Sequence, residues 1–204
     1  IFKNSTLPYH RSIQYIIMTV DIVRVSTQSD LNGILSLHKA NHFSNLTKEE
    51  MELEGFVTAE YNAELLSAMH QICPSIITKD GDRVVGYVLV ITRDFYGKHN
   101  LLDELFDAID VIQCGEGFMK DIKYVLIGQI CVDKEYRGQN IVQRMYSFYK
   151  SELESRYAGC CTDIAVTNPR SLKAHIKSGF KVIKKTSHKG VEFNIIHWDW
   201  SVSE

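Results

Sequence analysis

Two short segments of this chain carry residues whose types and spacing could do chemistry. The first runs from Tyr136 to Val142 with the sequence YRGQNIV, separated by three residues from a preceding apolar stretch that ends in Ile130, Cys131 and Val132. Where a strand is followed by a turn of this kind and then a helix, the first turn of the helix has backbone N–H groups without a partner in the helix. Such groups bind phosphate, so the segment predicts a site for a nucleotide-bearing cofactor.

The second segment runs from Asn168 to Phe180 with the sequence NPRSLKAHIKSGF. Asn168 followed by proline is typical of a helix start, and Gly179 of a helix end. His175 lies on this helix, and a histidine with its usual pKa of ~6.5 could donate a proton near neutral pH. The alternative is that His175 packs against a ligand without any kinetic duty, and that Asn168 only caps the helix.

The elements around these segments predict an α/β (α+β) chain with a mixed, mostly antiparallel sheet and helices on both faces. Apolar runs predict strands at Ile22 to Val25, Ser75 to Lys79, Arg83 to Thr92, Tyr124 to Val132, Cys161 to Thr167, Phe180 to Lys185 and Val191 to Trp200. Capping residues and helical spacing predict helices from Ser29-Asp30, Thr47 and Pro169, and over Ala59 to Met69, Leu101 to Ile112 and Asn140 to Arg156. The strand, helix, strand order of residues 124–167 predicts one parallel pair with a right-handed crossover.

Composition and charge narrow the class of protein. Lys and Arg number 23 against 25 for Asp and Glu, giving a formal charge of -2, so no whole-chain basic field favours nucleic acid or an anionic membrane. The five cysteines are odd in number and two are adjacent on a predicted strand, a pattern that favours a reducing cytoplasm. The sequence has neither a CxxC pair nor an HExxH motif, so we expect no metal.

The length of 204 residues predicts one globular domain. Met18 precedes an opening strand, so we expect a single domain over residues 18–204, with residues 1–17 as an extension upstream of it. An edge strand or a swapped arm is the alternative for residues 1–17. The apolar run from Ile13 to Val20 is too short to span a bilayer. A monomer and a homodimer are both compatible with the sequence.

On these two segments the chain resembles the GNAT superfamily of acyl-CoA-dependent N-acyltransferases. The resemblance spans residues 123–180, and the opening and closing strands follow that family's order of elements. Arg137 begins a partial match to the family's Arg-x-x-Gly-x-Gly/Ala loop, because Asn140 and Val142 stand where the two small residues are expected. Asn tolerates a left-handed backbone, whereas Val142 adds bulk near the phosphates.

The resemblance implies acetyl-CoA as cosubstrate, with its thiol-bearing arm between two splayed parallel strands. The loop that would hold the diphosphate consists of Arg137, Gly138, Gln139, Asn140, Ile141 and Val142. The strand that would pair with the pantetheine consists of Ile130, Cys131 and Val132, and the second helix would add Asn168, Ser171 and His175. In the family the position of His175 often holds a tyrosine that protonates the leaving thiolate, so His175 is the implied catalytic acid.

A general base is harder to identify. Some relatives carry a carboxylate just before the pantetheine-binding strand residues, but Gly128 and Gln129 stand there. The alternatives are an amine that arrives neutral, or a water relayed by Glu116, Asp163 or Glu192. Cys131 is expected to be a small core residue rather than a nucleophile, because no histidine is recognisable beside it.

The expected function is transfer of an acetyl group from acetyl-CoA to a primary amine by direct attack in a ternary complex. We expect a small-molecule acceptor, selected by residues 43–70 and by an insertion at residues 93–122. Three alternatives stay open: an acyl-CoA-binding module without turnover, a transferase acting on protein or peptide amines, and an interaction protein that uses the aromatic residues of the insertion.

Overall fold

The structure of the protein, a computed structural model, describes residues 19–54, 56–57 and 59–201, without the side chains of residues 52–54. The predicted extension at residues 1–17 lies outside this range. The strands are β1 Asp21–Arg24, β2 Ile76–Asp80, β3 Arg83–Ile91, β4 Gln113–Cys114, β5 Gly117–Phe118, β6 Tyr124–Val132, β7 Gly159–Ala165, β8 Lys181–His188 and β9 Val191–Asp199. Seven of them form one sheet in the order β1-β2-β3-β6-β7-β9-β8, and β4 pairs with β5.

Helices cover both faces of this sheet. They are α1 Gln28–Asn41, α2 Lys48–Glu54, α3 Ala63–Ile72, α4 Asn100–Asp110, α5 Ile141–Leu153 and α6 Pro169–Lys177. Buried side chains of α1, α3 and α4 pack together on one face, and those of α5 pack on the other. The predicted mixed sheet with two helical layers is confirmed. Within the described ranges, no helix is both long and apolar enough to cross a membrane.

The strands β6 and β7 form the parallel pair, and they separate partway along. Their register covers only three residue pairs, from Tyr124 opposite Gly159 to Leu126 opposite Cys161. Beyond these pairs, the Thr162 hydroxyl donates to the Ile127 carbonyl at 2.8 Å. Every other strand pair in the seven-stranded sheet is antiparallel. The splayed parallel pair is therefore confirmed, and it opens a gap at the carboxyl ends of the two strands.

A bulge bends β6 beside this gap. Val88 of β3 lies opposite Ile130 and Val90 lies opposite Ile127, so β6 has one residue more than β3 between these positions. Gly128 is in the bulge, and a Cβ atom there would lie 2.4 Å from Ile91 Cδ1 and 2.8 Å from the Tyr61 hydroxyl. No larger residue fits at position 128 without a shift of these neighbours, which explains the glycine.

The first helix begins earlier than its sequence predicts. The capping residue is Thr27, not Ser29 or Asp30. The Asp30 backbone N–H donates to Thr27 Oγ1, and the Thr27 N–H donates to Asp30 Oδ2, each at 3.1 Å. Asp30 thus occupies the third helical position of a capping box, where a carboxylate is favoured by the unpaired amides of the first turn.

Asp30 also anchors the sheet, and we expect acid to weaken this anchor. Its carboxylate is buried and lies 3.1 Å from Lys79 Nζ. Although burial raises its pKa, the hydrogen bonds from Ser26, Thr27 and Lys79 outweigh that effect and lower the pKa from 3.8 to about 2. Since the folded-state pKa is depressed, the stabilisation is present above pH 3.8 and is lost as the pH falls towards 2.

The variant Asp30→Asn tests this contribution. It should lower the free energy of unfolding by about 1–2 kcal/mol near neutral pH, with a smaller difference at acid pH. Urea unfolding followed by circular dichroism at several pH values measures the difference. Glu50→Gln, in the exposed capping box of α2, is the matched control and should cost less. A difference for Asp30→Asn that does not change with pH would contradict the assignment.

Other boundaries moved by a few residues. The helix predicted from Ala59 begins at Ala63, because the Asn62 side chain caps it by accepting the Leu65 N–H at 2.8 Å. The strand predicted from Cys161 to Thr167 is observed as Gly159–Ala165. In the insertion, the predicted helix is confirmed as α4, while the short β4-β5 hairpin that follows was not predicted.

Candidate active site

One cavity follows the gap from β6 to the start of α5. Its volume is about 490 Å³, and it is lined by the carboxyl end of β6, the turn into α5 and one side of α6. Among the residues that the sequence predicts to bind the cofactor, those that line it are Ile130, Cys131, Val132, Arg137, Gly138, Asn140, Ile141, Val142, Asn168, Ser171 and His175. Gln139 is the predicted residue that does not line it.

The turn into α5 lines this cavity and has two residues with a left-handed backbone. Gly138 has φ +78° and Asn140 has φ 57°, both in the left-handed region. The Asn140 side chain makes no capping bond, although the residue occupies the capping position. Val142 is half-buried and packs partly against the core. A left-handed turn at a helix start aims successive N–H groups at one point, which suits a phosphate.

Arg137 ties the turn to two other elements. Its Nε donates to the Val132 carbonyl at 2.9 Å, and its Nη2 donates to Asn41 Oδ1 at 2.7 Å. The guanidinium thus connects the end of β6 with the end of α1. The resemblance attributes a role in diphosphate binding to this position, and these bonds add a positioning role, because they hold the turn in place.

Three cations of α6 that were not among the predicted site residues line the same cavity. Arg170, Lys173 and Lys177 lie three and four residues apart, so they share one face of the helix, and all three line the cavity. Lys177 Nζ lies 3.5 Å from Asn140 Oδ1. Their spacing was visible in the sequence, but only the fold shows that this face lies opposite the amide-rich turn.

A second cavity of about 480 Å³ is lined by both strands of the gap, with residues 127–130 of β6 and 162–165 of β7 in its wall. Asn168, Ser171 and His175 of α6 line both cavities. Asn168 caps α6 by accepting the Ser171 N–H at 3.2 Å and also donates to the Phe56 carbonyl at 3.2 Å. Asn168 therefore caps α6. The two cavities meet along the side of α6 that these three residues form.

His175 is buried with both ring nitrogens occupied. Nδ1 lies 2.8 Å from the Ser171 carbonyl, which can only accept, so Nδ1 carries the proton. Nε2 lies 2.7 Å from the Tyr146 hydroxyl, which then donates to it. Burial lowers the pKa of His175 from 6.5 to about 4, so the ring is neutral near pH 7. In this geometry the one proton of the neutral ring is held in the bond to the Ser171 carbonyl.

The second cavity contains one carboxylate with a perturbed pKa. Asp163 of β7 lines the cavity, and burial raises the pKa of its carboxyl from 3.8 to about 6. Tyr61 lines the wall as well, and its hydroxyl donates to the Gly128 carbonyl at 3.0 Å. A carboxylate with a pKa close to neutral is suited to accept a proton.

The other candidates for acid or base chemistry lie elsewhere. Glu116 is exposed in the turn between β4 and β5, and Glu192 is exposed on β9. Neither residue is among those that line the two cavities. Burial raises the pKa of the Cys131 thiol to about 12, which fits the predicted core residue and not a nucleophile.

Helix α4 closes one side of the second cavity. Glu104 and Asp107 of α4 line the cavity, as does His188 at the end of β8. Glu104 Oε2 lies 3.3 Å from His188 Nδ1, and this contact joins the helix to the β8-β9 hairpin. The tight turn of that hairpin has Lys189 and Gly190 with positive φ, as its sequence predicts.

A family model described as the Acetyltransferase (GNAT) family matches residues 32–180. Because the match covers most of the chain, this protein belongs to the GNAT acetyltransferase family. It is an acetyl-CoA-dependent N-acetyltransferase, and acetyl-CoA is its cosubstrate. The amide-rich turn, the α6 cations and the splayed strands fit that cosubstrate. No curated protein matches the chain.

Several solved structures share this fold. The ribosomal-protein-S18-alanine N-acetyltransferase from Escherichia coli is 11% identical, with 91% of this chain and 97% of that one covered and a TM-score of 0.59. The yncA protein from Salmonella typhimurium, solved with its cofactor acetyl-CoA, is 12% identical, with coverage of 89% and 94% and a TM-score of 0.57. A chain of the NatC complex bound to Gag peptide and CoA is 11% identical, with coverage of 89% and 99% and a TM-score of 0.62.

The α6 cations should contribute to acetyl-CoA affinity. We expect Lys173→Glu with Lys177→Glu to raise the dissociation constant for acetyl-CoA about 10- to 30-fold, because two attractive charges become repulsive near the phosphates. Isothermal titration calorimetry at two salt concentrations measures this change. Lys181→Glu with Lys185→Glu on the exposed edge strand β8 is the control with the same change in net charge. Equal affinities for the two double variants would contradict the assignment.

Proposed function

We propose that this enzyme acetylates the primary amine of a small molecule by direct attack in a ternary complex, with Asp163 as the general base. One observation carries the proposal: two cavities meet at the gap between β6 and β7, and a carboxylate with a pKa of about 6 lies on the side away from the amide-rich turn. That arrangement separates a place for the acyl donor from a place for the amine.

The reaction removes two protons from the acceptor nitrogen. The acceptor enters as an ammonium ion, and Asp163 accepts one proton from it, directly or through a water molecule. The neutral nitrogen then attacks the thioester carbonyl carbon, the N–C bond forms and the C–S bond breaks. The second proton lost by nitrogen ends on the thiolate, so the products are the amide and free thiol. Backbone N–H groups of the splayed β6 would stabilise the negative charge that develops on the carbonyl oxygen.

The leaving thiolate would lie beside the stripe of α6 that lines both cavities. Ser171 and the second amide N–H of Asn168 can donate to a thiolate, because the Phe56 carbonyl accepts only one N–H of Asn168, whereas both ring nitrogens of the neutral His175 are bonded. We assign to His175 and Tyr146 a positioning role, in which they fix α6 against α5. Protonation of the thiolate then uses the nitrogen proton or solvent.

Two features of the second cavity support a small acceptor. The Glu104 to His188 contact spans one side of this cavity, which leaves less room for a chain that continues beyond the reacting amine. The volume of about 480 Å³ is within the range of about 300–1,000 Å³ that is usual for small-molecule sites. Both features support a small molecule over a protein amine.

A thiol-release assay tests the proposal. The purified protein is incubated with acetyl-CoA and a panel of small primary amines and short peptides, and free CoA thiol is measured against amine-free controls. Release that depends on a small amine supports the proposed function. Acetyl-CoA that raises the melting temperature without release in any reaction would instead identify a binding module, and release with peptides alone would identify a peptide acceptor.

A further inference from the structure

The walls of the second cavity indicate the class of acceptor. We propose that the acceptor is a small cationic amine with an apolar body and no carboxylate, the chemistry of an arylalkylamine. This inference rests on the proposed function, and it concerns which amines the same site accepts.

Most of the cavity wall is apolar. Six of its aliphatic and aromatic members come from the α2-α3 connection, α4, β7 and β9, and these six are Phe56, Ala59, Leu101, Leu105, Ile164 and Phe193. Four of these six are Phe or Leu, whose side chains contribute much of the contact area when an apolar ligand is buried. An acceptor with an aromatic or branched apolar body covers more of this wall than the short methylene segments of a polyamine do.

The charged groups at the cavity are of one sign. Asp163, Glu104 and Asp107 line it, and within the described part of the chain no Lys or Arg side chain does. His188 is the remaining titratable wall residue of the hairpin, and any positive charge on it is offset by Glu104 at 3.3 Å. An ammonium group is attracted by this set of charges, whereas a carboxylate is repelled and has no cation to bind.

These two properties separate amines from the corresponding amino acids. An arylalkylamine places its ammonium near Asp163 and its ring against the apolar wall. The amino acid with the same side chain adds a carboxylate next to the reacting nitrogen, within a few ångströms of Asp163. A peptide replaces that carboxylate by a chain that must pass between α4 and the β8-β9 hairpin.

A matched set of acceptors tests the inference. Thiol release is measured with 2-phenylethylamine, phenylalanine, phenylalaninamide, spermidine and a tripeptide that begins with phenylalanine. We expect kcat/KM for 2-phenylethylamine to exceed that for phenylalanine at least about tenfold, with phenylalaninamide much closer to the amine, because the amide differs from the acid mainly in charge. Spermidine and the tripeptide should be poorer than 2-phenylethylamine.

A charge-reversal variant distinguishes electrostatic from steric exclusion. Asp107 is exposed on α4 and bonded to the Tyr96 hydroxyl at 2.8 Å, so Asp107→Lys should fold and place a cation at the wall. The variant should reduce the preference for phenylalaninamide over phenylalanine about fivefold or more. An unchanged preference, or a wild-type enzyme that prefers the amino acid, spermidine or the tripeptide, would overturn the inference. Absence of release with every amine would instead refute the proposed function.

Discussion

Asp163→Asn should lower kcat/KM for the amine about 100- to 1,000-fold near neutral pH, the usual effect of removing a general base. The substitution keeps the size of the side chain and removes its ability to accept the proton of the ammonium. Acetyl-CoA affinity should stay within about twofold, because Asp163 lines the second cavity and not the one beside the amide-rich turn. Steady-state kinetics and calorimetry of the same preparation give the two numbers.

The dependence of the rate on pH tests the role of Asp163 independently. Asp163 accepts a proton only when ionised, and burial places its pKa at about 6. The wild-type rate should therefore fall about tenfold for each pH unit below about 6, and this break should disappear in Asp163→Asn. Glu116→Gln and Glu192→Gln are matched controls on exposed carboxylates. A profile that keeps its break in Asp163→Asn would assign the base elsewhere.

The sheet and its helices were largely predictable, because local sequence determines them. Asp80-Gly81 and Lys189-Gly190 predict tight turns, and in both glycines φ is positive, as the turns require. Apolar periodicity predicted α5 and the strand on either side of it. Apart from the unpredicted β4-β5 hairpin, the errors lie at ends of elements, as at Thr27, where a capping box selects one helix start among several polar residues.

The turn into α5 was also predictable, because the strand, the turn and the helix after it form one continuous segment. The lining of the second cavity was not, since it combines distant parts of the chain. Asp163 was one of three carboxylates with no means of choosing between them until the fold placed it opposite Tyr61 and near His188. Periodicity predicted α4 as a helix, but it contains no information on which face of the sheet that helix covers.

For His175, the position on α6 was predictable from the sequence. The hydrogen bond that holds its ring proton was not. The spacing of Asn168 and His175 on one helix face is local, and it places both beside the gap. Which ring nitrogen of His175 carries the proton depends in part on the hydrogen bond from Tyr146, a residue of α5 that is distant in sequence. A residue that stands where relatives carry an acid can therefore hold its only proton in a structural hydrogen bond.

We therefore expect the main effect of His175→Ala to be a loss of folding stability. The variant leaves the buried Tyr146 hydroxyl without its acceptor and opens a cavity against Phe180, so the free energy of unfolding near pH 7.5 should fall by about 3 kcal/mol. Because the folded-state pKa of about 4 lies below the unfolded value of 6.5, the His175 contribution is full above pH 6.5 and declines as the pH falls towards 4. Urea unfolding at several pH values should show the variant and the wild type converging in acid.

Measurements of kcat then distinguish a positioning role of His175 from a role as catalytic acid. With His175 in a positioning role, kcat at saturating acetyl-CoA, corrected for the folded fraction, should stay within about threefold in Tyr146→Phe and about tenfold in His175→Ala. Tyr146→Phe removes the hydroxyl but keeps the ring packed on Phe180, so it isolates the hydrogen bond from the volume. A loss of about 100-fold or more in kcat for His175→Ala with unchanged stability would restore the acid role, since a proton donor to the thiolate affects the chemical step and not the packing of α6.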